Sequence, residues 1–174
     1  LTLIELSRLV EGYPMVGGTL EGLQSPHWIL NHAIHDTRKQ GGLVIWSHFS
    51  NLPGAESPIA IALGLIDAIE LMTFNEPTDL PSHWSPWNHS GMSQAEFTVM
   101  RGVDLYYQYL NAGFNLPIVA GTDKMKNDIP IGSNRYYAEY KGGDRYRQWV
   151  DGIKQGNGFI TNGPMLDFTV EKHV

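Results

Sequence analysis

The chain has 174 residues, 42% hydrophobic and 17% charged, which suits one globular domain with a real core and excludes a disordered segment. Twelve Lys and Arg against eighteen Asp and Glu leave a net charge of −6. That balance speaks against nucleic acid as a partner, because phosphate binding wants a basic surface. No cysteine is present, which removes disulfides, thiolate metal sites and cysteine nucleophiles, and no apolar run is long enough to span a membrane.

The chain opens on Leu1-Thr2-Leu3-Ile4-Glu5, with no initiator Met and no signal-peptide pattern. Its end, Phe168-Thr169-Val170-Glu171, is strand-like and uncapped. Both ends look cut, so the expectation is a single partial domain over 1–174 that belongs to a larger gene product. Residues 1–24 read as a short helix or turn followed by a loop at Gly12-Tyr13-Pro14 and Gly17-Gly18.

Ser25 as N-cap and Pro26 at the first helical position open a helix to about Lys39, which Gly41 ends in a left-handed cap. Trp28, Ile29, Ala33 and Ile34 supply its inner face. His32 and His35 also lie on it, three apart, a spacing open to a shared metal although surface or packing histidines are far commoner. Leu43–Trp46 is an apolar strand, and His48 follows at its carboxyl end. Residues 58–65 read as a short apolar helix and 66–72 as a second strand, together a βαβ unit.

Residues 74–91 are rich in proline and aromatic side chains and carry His83 and His89. They read as a functional lid or as a surface loop packed by its own tryptophans. Ser93 and Glu96 form a capping box for a helix over 93–112 with a broad apolar face, ended by Gly113. A strand over 116–123 then runs into Gly121-Thr122-Asp123. Residues 135–140 alternate as a strand. Asp144 caps a helix to Gln155, with Tyr146, Trp149, Val150 and Ile153 inward and Gly156 as stop. The tail, 157–174, holds Phe159-Ile160, the turn Thr161-Asn162-Gly163-Pro164 and the start of a further β segment from Leu166.

Two apolar runs thus end in side chains able to bind metal, His48 and Asp123, and in α/β folds ligands sit at the carboxyl ends of parallel strands. Taken alone, His48 is open to service as a ligand, a base or a hydrogen-bonding cap, and Asp123 as an N-cap, a turn former or a ligand. No Gly-x-Ser-x-Gly elbow, His-Glu-x-x-His or phosphate loop is present.

The run Gly41-Gly42-Leu43-Val44-Ile45-Trp46-Ser47-His48 resembles a segment of the polymerase-and-histidinol-phosphatase (PHP) superfamily. Three more segments sharpen the resemblance towards its carbaryl-hydrolase-like (CehA/McbA) branch. They are Ala62-Leu63-Gly64-Leu65-Ile66-Asp67-Ala68-Ile69-Glu70, then Tyr109-Leu110-Asn111-Ala112-Gly113-Phe114-Asn115-Leu116-Pro117 leading into Ala120-Gly121-Thr122-Asp123, and finally Phe159-Ile160-Thr161-Asn162-Gly163-Pro164. The resemblance implies an α/β fold, an incomplete PHP-type distorted (β/α) barrel with parallel strands and flanking helices. It implies a metal-dependent hydrolase of ester, carbamate or phosphoester bonds, with a small-molecule substrate and divalent zinc, manganese or iron. His48 and Asp123 match metal ligands of that family, and His83 or His89 are candidates for substrate contact or proton transfer. Arg135 and the Asn162-Gly163-Pro164 turn match recurrent segments without an assigned role.

Two departures matter. The family's opening His-x-His is absent, and Met125 stands where many members place a histidine. The resemblance therefore covers the carboxyl-terminal half of such a barrel, with its metal incompletely coordinated and the chain alone expected to be inactive. The alternative is a non-catalytic, degenerate PHP-like module acting in binding or assembly; an in-frame His-x-His upstream of Leu1 separates the two. Half a barrel also leaves strand edges and an apolar sheet face uncovered, from which a homo-oligomer is expected.

Overall fold

Four successive apolar side chains in Leu43–Trp46 can be buried only if a layer lies on each face of the strand, β2, and all four are buried. The structure is a computed structural model; it describes residues 2–8, 30–49, 56–72, 102–122, 127, 130–163, 165 and 169. Among these, β1 (Thr2–Ile4) and α1 (Leu30–Lys39) precede β2. After it come α2 (Glu56–Ala62), β3 (Ala68–Met72), α3 (Asp104–Asn111), β4 (Ile118–Ala120), β5 (Arg135–Ala138), α4 (Arg145–Gln155) and β6 (Gly158–Thr161). The first four strands form one sheet in the order β1-β2-β3-β4. β2, β3 and β4 are parallel and β1 is antiparallel to β2. β5 and β6 make an antiparallel pair that lies beside β4.

Helices cover both faces of the parallel strands. Val44, Trp46 and Ile69 pack with Ile34 of α1, Ala60 and Ile61 of α2, and Leu105, Tyr106 and Tyr109 of α3. Leu43, Ile45, Ala68 and Val119 pack with Val150 and Ile153 of α4. The chain is mixed α/β with a parallel-stranded sheet, and its described strands do not close into a barrel. Among the described residues, α4 thus covers the second face of β2, β3 and β4.

The amino terminus departs from the helix or turn expected of it. Thr2–Ile4 is the edge strand β1, with Leu3 opposite Val44. Three residues carry no period, and pairing with β2, distant in sequence, decides their conformation. Gly42 allows the approach, since a Cβ there would stand 2.6 Å from the Ile4 carbonyl oxygen and 3.0 Å from Thr37 Cγ2. Gly42→Ala is therefore expected to push β1 off the sheet or strain it, costing about 1–3 kcal/mol, read from the urea midpoint; an unchanged midpoint would show that β1 contributes nothing.

The signals expected at Gly41, Asp144 and Gly156 are found, while Ser25, Pro26, Ser93 and Glu96 lie outside the described residues. Gly41 and Gly156 have φ of 78° and 68°, the left-handed caps that let α1 and α4 turn. Asp144 accepts a hydrogen bond from the Arg147 N–H at 3.1 Å. Asp67, read as part of the second strand, instead precedes it and fastens three elements. Its carboxylate accepts the Val44 N–H at 2.8 Å and Arg38 Nη2 at 2.9 Å. Arg38 also donates to the Gly64 carbonyl at 3.0 Å, so α1 holds the passage from α2 into β3.

The inner face of α4 is narrower than its spacing suggests. Val150 and Ile153 are fully buried, while Tyr146 is 55% exposed and stacks on Trp149. Below them the Tyr136 hydroxyl is buried against Gly158 and Gly152, and burial raises its pKa above the ordinary 10.0. The folded state favours the neutral phenol, so its contribution is complete below pH 10.0 and is lost as pH rises through the raised value. Tyr136→Phe is expected to flatten the alkaline limb of stability, and an alkaline limb identical to wild type would refute this.

Candidate functional site

Since β2, β3 and β4 run parallel, their carboxyl ends share one pole, and His48, Glu70 and Thr122 stand there. His48 stands two residues beyond β2, half-buried, with φ of 54°. That left-handed conformation is uncommon for a residue with a Cβ and needs surroundings that enforce it. Glu70, on β3, does so. Its Oε2 accepts the His48 N–H at 2.9 Å, and its backbone carbonyl accepts the Phe49 N–H at 3.2 Å. Phe49, fully buried against Trp46 and Tyr109, anchors the turn from below.

The end of β4 closes the other side. Gly121 lies against the Glu70 carboxylate so closely that a Cβ at this position would collide with Oε1. The Gly121 N–H donates to the Met72 carbonyl at 3.0 Å, across a register shift of the β3–β4 ladder between Glu70 and Met72. That irregularity re-aims the strand end, as bulges beside sites commonly do. Thr122 follows, and its hydroxyl receives the Gly132 N–H at 3.0 Å.

Of the residues singled out from the sequence, His48 is at this pole. Asp123, which follows Thr122 in the chain, and His83 and His89 lie outside the described residues. His35 is exposed on α1. Among the described residues no group of three or more His, Asp or Glu could hold a metal ion. Glu70 is the residue that sequence reasoning passed over. It closes the Ala62–Glu70 segment quoted above, and a lone acid within the apolar run of a central parallel strand was the available signal.

The arrangement offers a histidine just beyond β2 and a carboxylate on the adjacent β3, joined through the His48 backbone N–H, with Gly121 at the end of the next strand leaving room for the carboxylate. Such N and O donors suit zinc, manganese or iron in type, and the hydrogen bond from the His48 backbone fixes the carboxylate's position. Compared with protein-family models, curated proteins and solved structures, the chain matches none.

Proposed function

We propose that this pole is part of the metal centre of a metal-dependent hydrolase of PHP type, acting on ester, carbamate or phosphoester bonds. The observation that carries the reading is the strained His48, held at φ 54° by Glu70 across two parallel strand ends. A histidine in a conformation that glycine would adopt more easily points to its imidazole as the reason for its presence. His48, Glu70 and Asp123 would hold the ion. A divalent cation supplies Lewis acidity there, polarising the scissile group and lowering the pKa of water. The chain's own residues do the positioning: Glu70 fixes the His48 backbone, Phe49 anchors the turn, and Gly121 leaves space for the carboxylate. The incomplete PHP-type barrel fits the same reading, with β2, β3 and β4 as its carboxyl-terminal strands.

Calorimetric titration with zinc or manganese tests it. One weak site is expected, without substantial ester turnover by this chain alone. His48→Gly should abolish that site with little change in stability. Relief of the left-handed strain, about 1–2 kcal/mol, is offset by the entropy of glycine, about 0.5–1 kcal/mol. Unimpaired metal binding by His48→Gly would overturn the reading. Absence of any metal binding by the folded protein would favour the non-catalytic module.

A further inference from the structure

Arg135 opens β5 at the same end of the sheet as His48 and Glu70. The loop before it is fastened to the end of β4: the Gly132 N–H donates to Thr122 Oγ1 at 3.0 Å, and Asn134 Nδ2 donates to the Gly121 carbonyl at 3.2 Å. The Arg135 stem passes Gly132, where a Cβ would stand 4.0 Å from its Cγ. The guanidinium is held from one side. Its Nη2 donates to the Gly163 carbonyl at 2.8 Å, in the turn after β6, whose Thr161 pairs with Arg135 across the ladder. The guanidinium carbon lies 5.9 Å from the centre of the Tyr137 ring.

Among the described residues, no anion faces this cation: no carboxylate forms an ion pair with it. Its Nε is buried and has no hydrogen-bond partner. Two residues earlier, Ser133 Oγ is likewise buried without a partner. A buried guanidinium donor without a partner is costly unless something completes it. The planar fork of an arginine matches the oxygens of phosphate or carboxylate better than any neutral group.

We infer that Arg135 binds an oxyanionic group of the substrate, a phosphate or a carboxylate, through its Nε–H. The inference rests on the hydrolase reading for the identity of the site and narrows it to negatively charged substrates. Phosphoesters, or esters bearing a free carboxylate, then fit, and neutral carbamates do not. The hydrogen bond to Gly163 and the ring of Tyr137 hold the guanidinium in place before the anion arrives, which limits the side-chain entropy lost on binding.

The test uses the whole chain, free of metal, labelled with nitrogen-15. Inorganic phosphate, acetate and neutral methyl carbamate are titrated separately, and the Arg135 Nε–H resonance is identified by its disappearance in Arg135→Lys. Phosphate or acetate is expected to move that resonance saturably, and methyl carbamate to leave it in place. A response to phosphate alone assigns a phosphate group, and one to acetate alone a carboxylate. Arg135→Gln is expected to weaken the effective anion at least about tenfold, with partial recovery in Arg135→Lys, which keeps the charge without the fork. A resonance unmoved by either anion overturns the inference, as does equal affinity in Arg135→Gln. Should that variant fail to fold, the wild-type resonance decides alone. Because no metal is present, a chain that takes the anion but never a metal keeps this inference while the hydrolase reading fails.

Discussion

Truncating Phe49 to alanine is expected to lower the unfolding free energy by about 3–5 kcal/mol, a large share of the roughly 5–15 kcal/mol typical of a domain. The ring is fully buried. It meets Trp46 edge-on with centroids 5.0 Å apart, and Tyr109 at 5.8 Å. Removing it leaves a cavity bounded by β2, the end of β3 and α3, elements too firmly paired to collapse into it. The same residue donates its N–H to the Glu70 carbonyl at 3.2 Å, so the cavity opens directly beneath His48. Loss of stability should therefore come with loosening of the strand end. Urea unfolding checks the first effect, and amide exchange at His48 and Phe49 checks the second. Phe49→Leu, which fills most of the space, should cost less than half as much. A Phe49→Ala cost below about 1 kcal/mol would mean that the turn is held by other groups.

The central sheet was legible because its strands carry apolar side chains on both faces and end in turn signals, a pattern that suits a sheet covered on both sides. The helix ends were legible for a local reason: Gly41, Asp144 and Gly156 are signals that act within one turn. Strand β1 was not, since its conformation is set by Leu43, Val44 and Ile45, some forty residues away in the chain. Nor was the covering of Leu43, Ile45, Ala68 and Val119 by α4. An apolar strand states that both faces are buried without stating what buries them, and the choice between a barrel interior and a helix is made by tertiary packing. The pairing of Arg135–Ala138 with Gly158–Thr161 is hidden in the same way, because α4 separates the two strands in sequence.

Within the site, His48 was legible from its place after an apolar run. Glu70 was not, because it looks like the polar residue of an ordinary strand until β4 brings Gly121 against its carboxylate. The left-handed backbone of His48 carries only a faint sequence signal: histidine is several-fold enriched in that region, yet seldom adopts it. The hydrogen bond that accompanies it runs to a side chain on the neighbouring strand, far off in sequence.

Substituting Glu70 separates the two roles this places on one side chain. Its Oε2 accepts the His48 N–H at 2.9 Å, and its charge would contribute to a cation at the same pole. Glu70→Gln keeps an amide oxygen able to accept that N–H and removes the charge. It is expected to unfold at nearly the wild-type temperature and to bind zinc or manganese about 10–100-fold more weakly. Glu70→Ala removes the acceptor as well. The half-buried His48 N–H then loses its partner, at a cost of about 1–3 kcal/mol, and the left-handed turn relaxes. The alanine variant should thus lose both metal affinity and stability, and combining it with His48→Gly should restore part of the stability but none of the affinity. A non-additive recovery of this kind is what coupling through the His48–Glu70 hydrogen bond requires. Equal metal affinity in wild type and Glu70→Gln would remove Glu70 from the ligand set and leave it as the positioning residue for His48. Strictly additive stabilities in the double variant would remove the coupling itself.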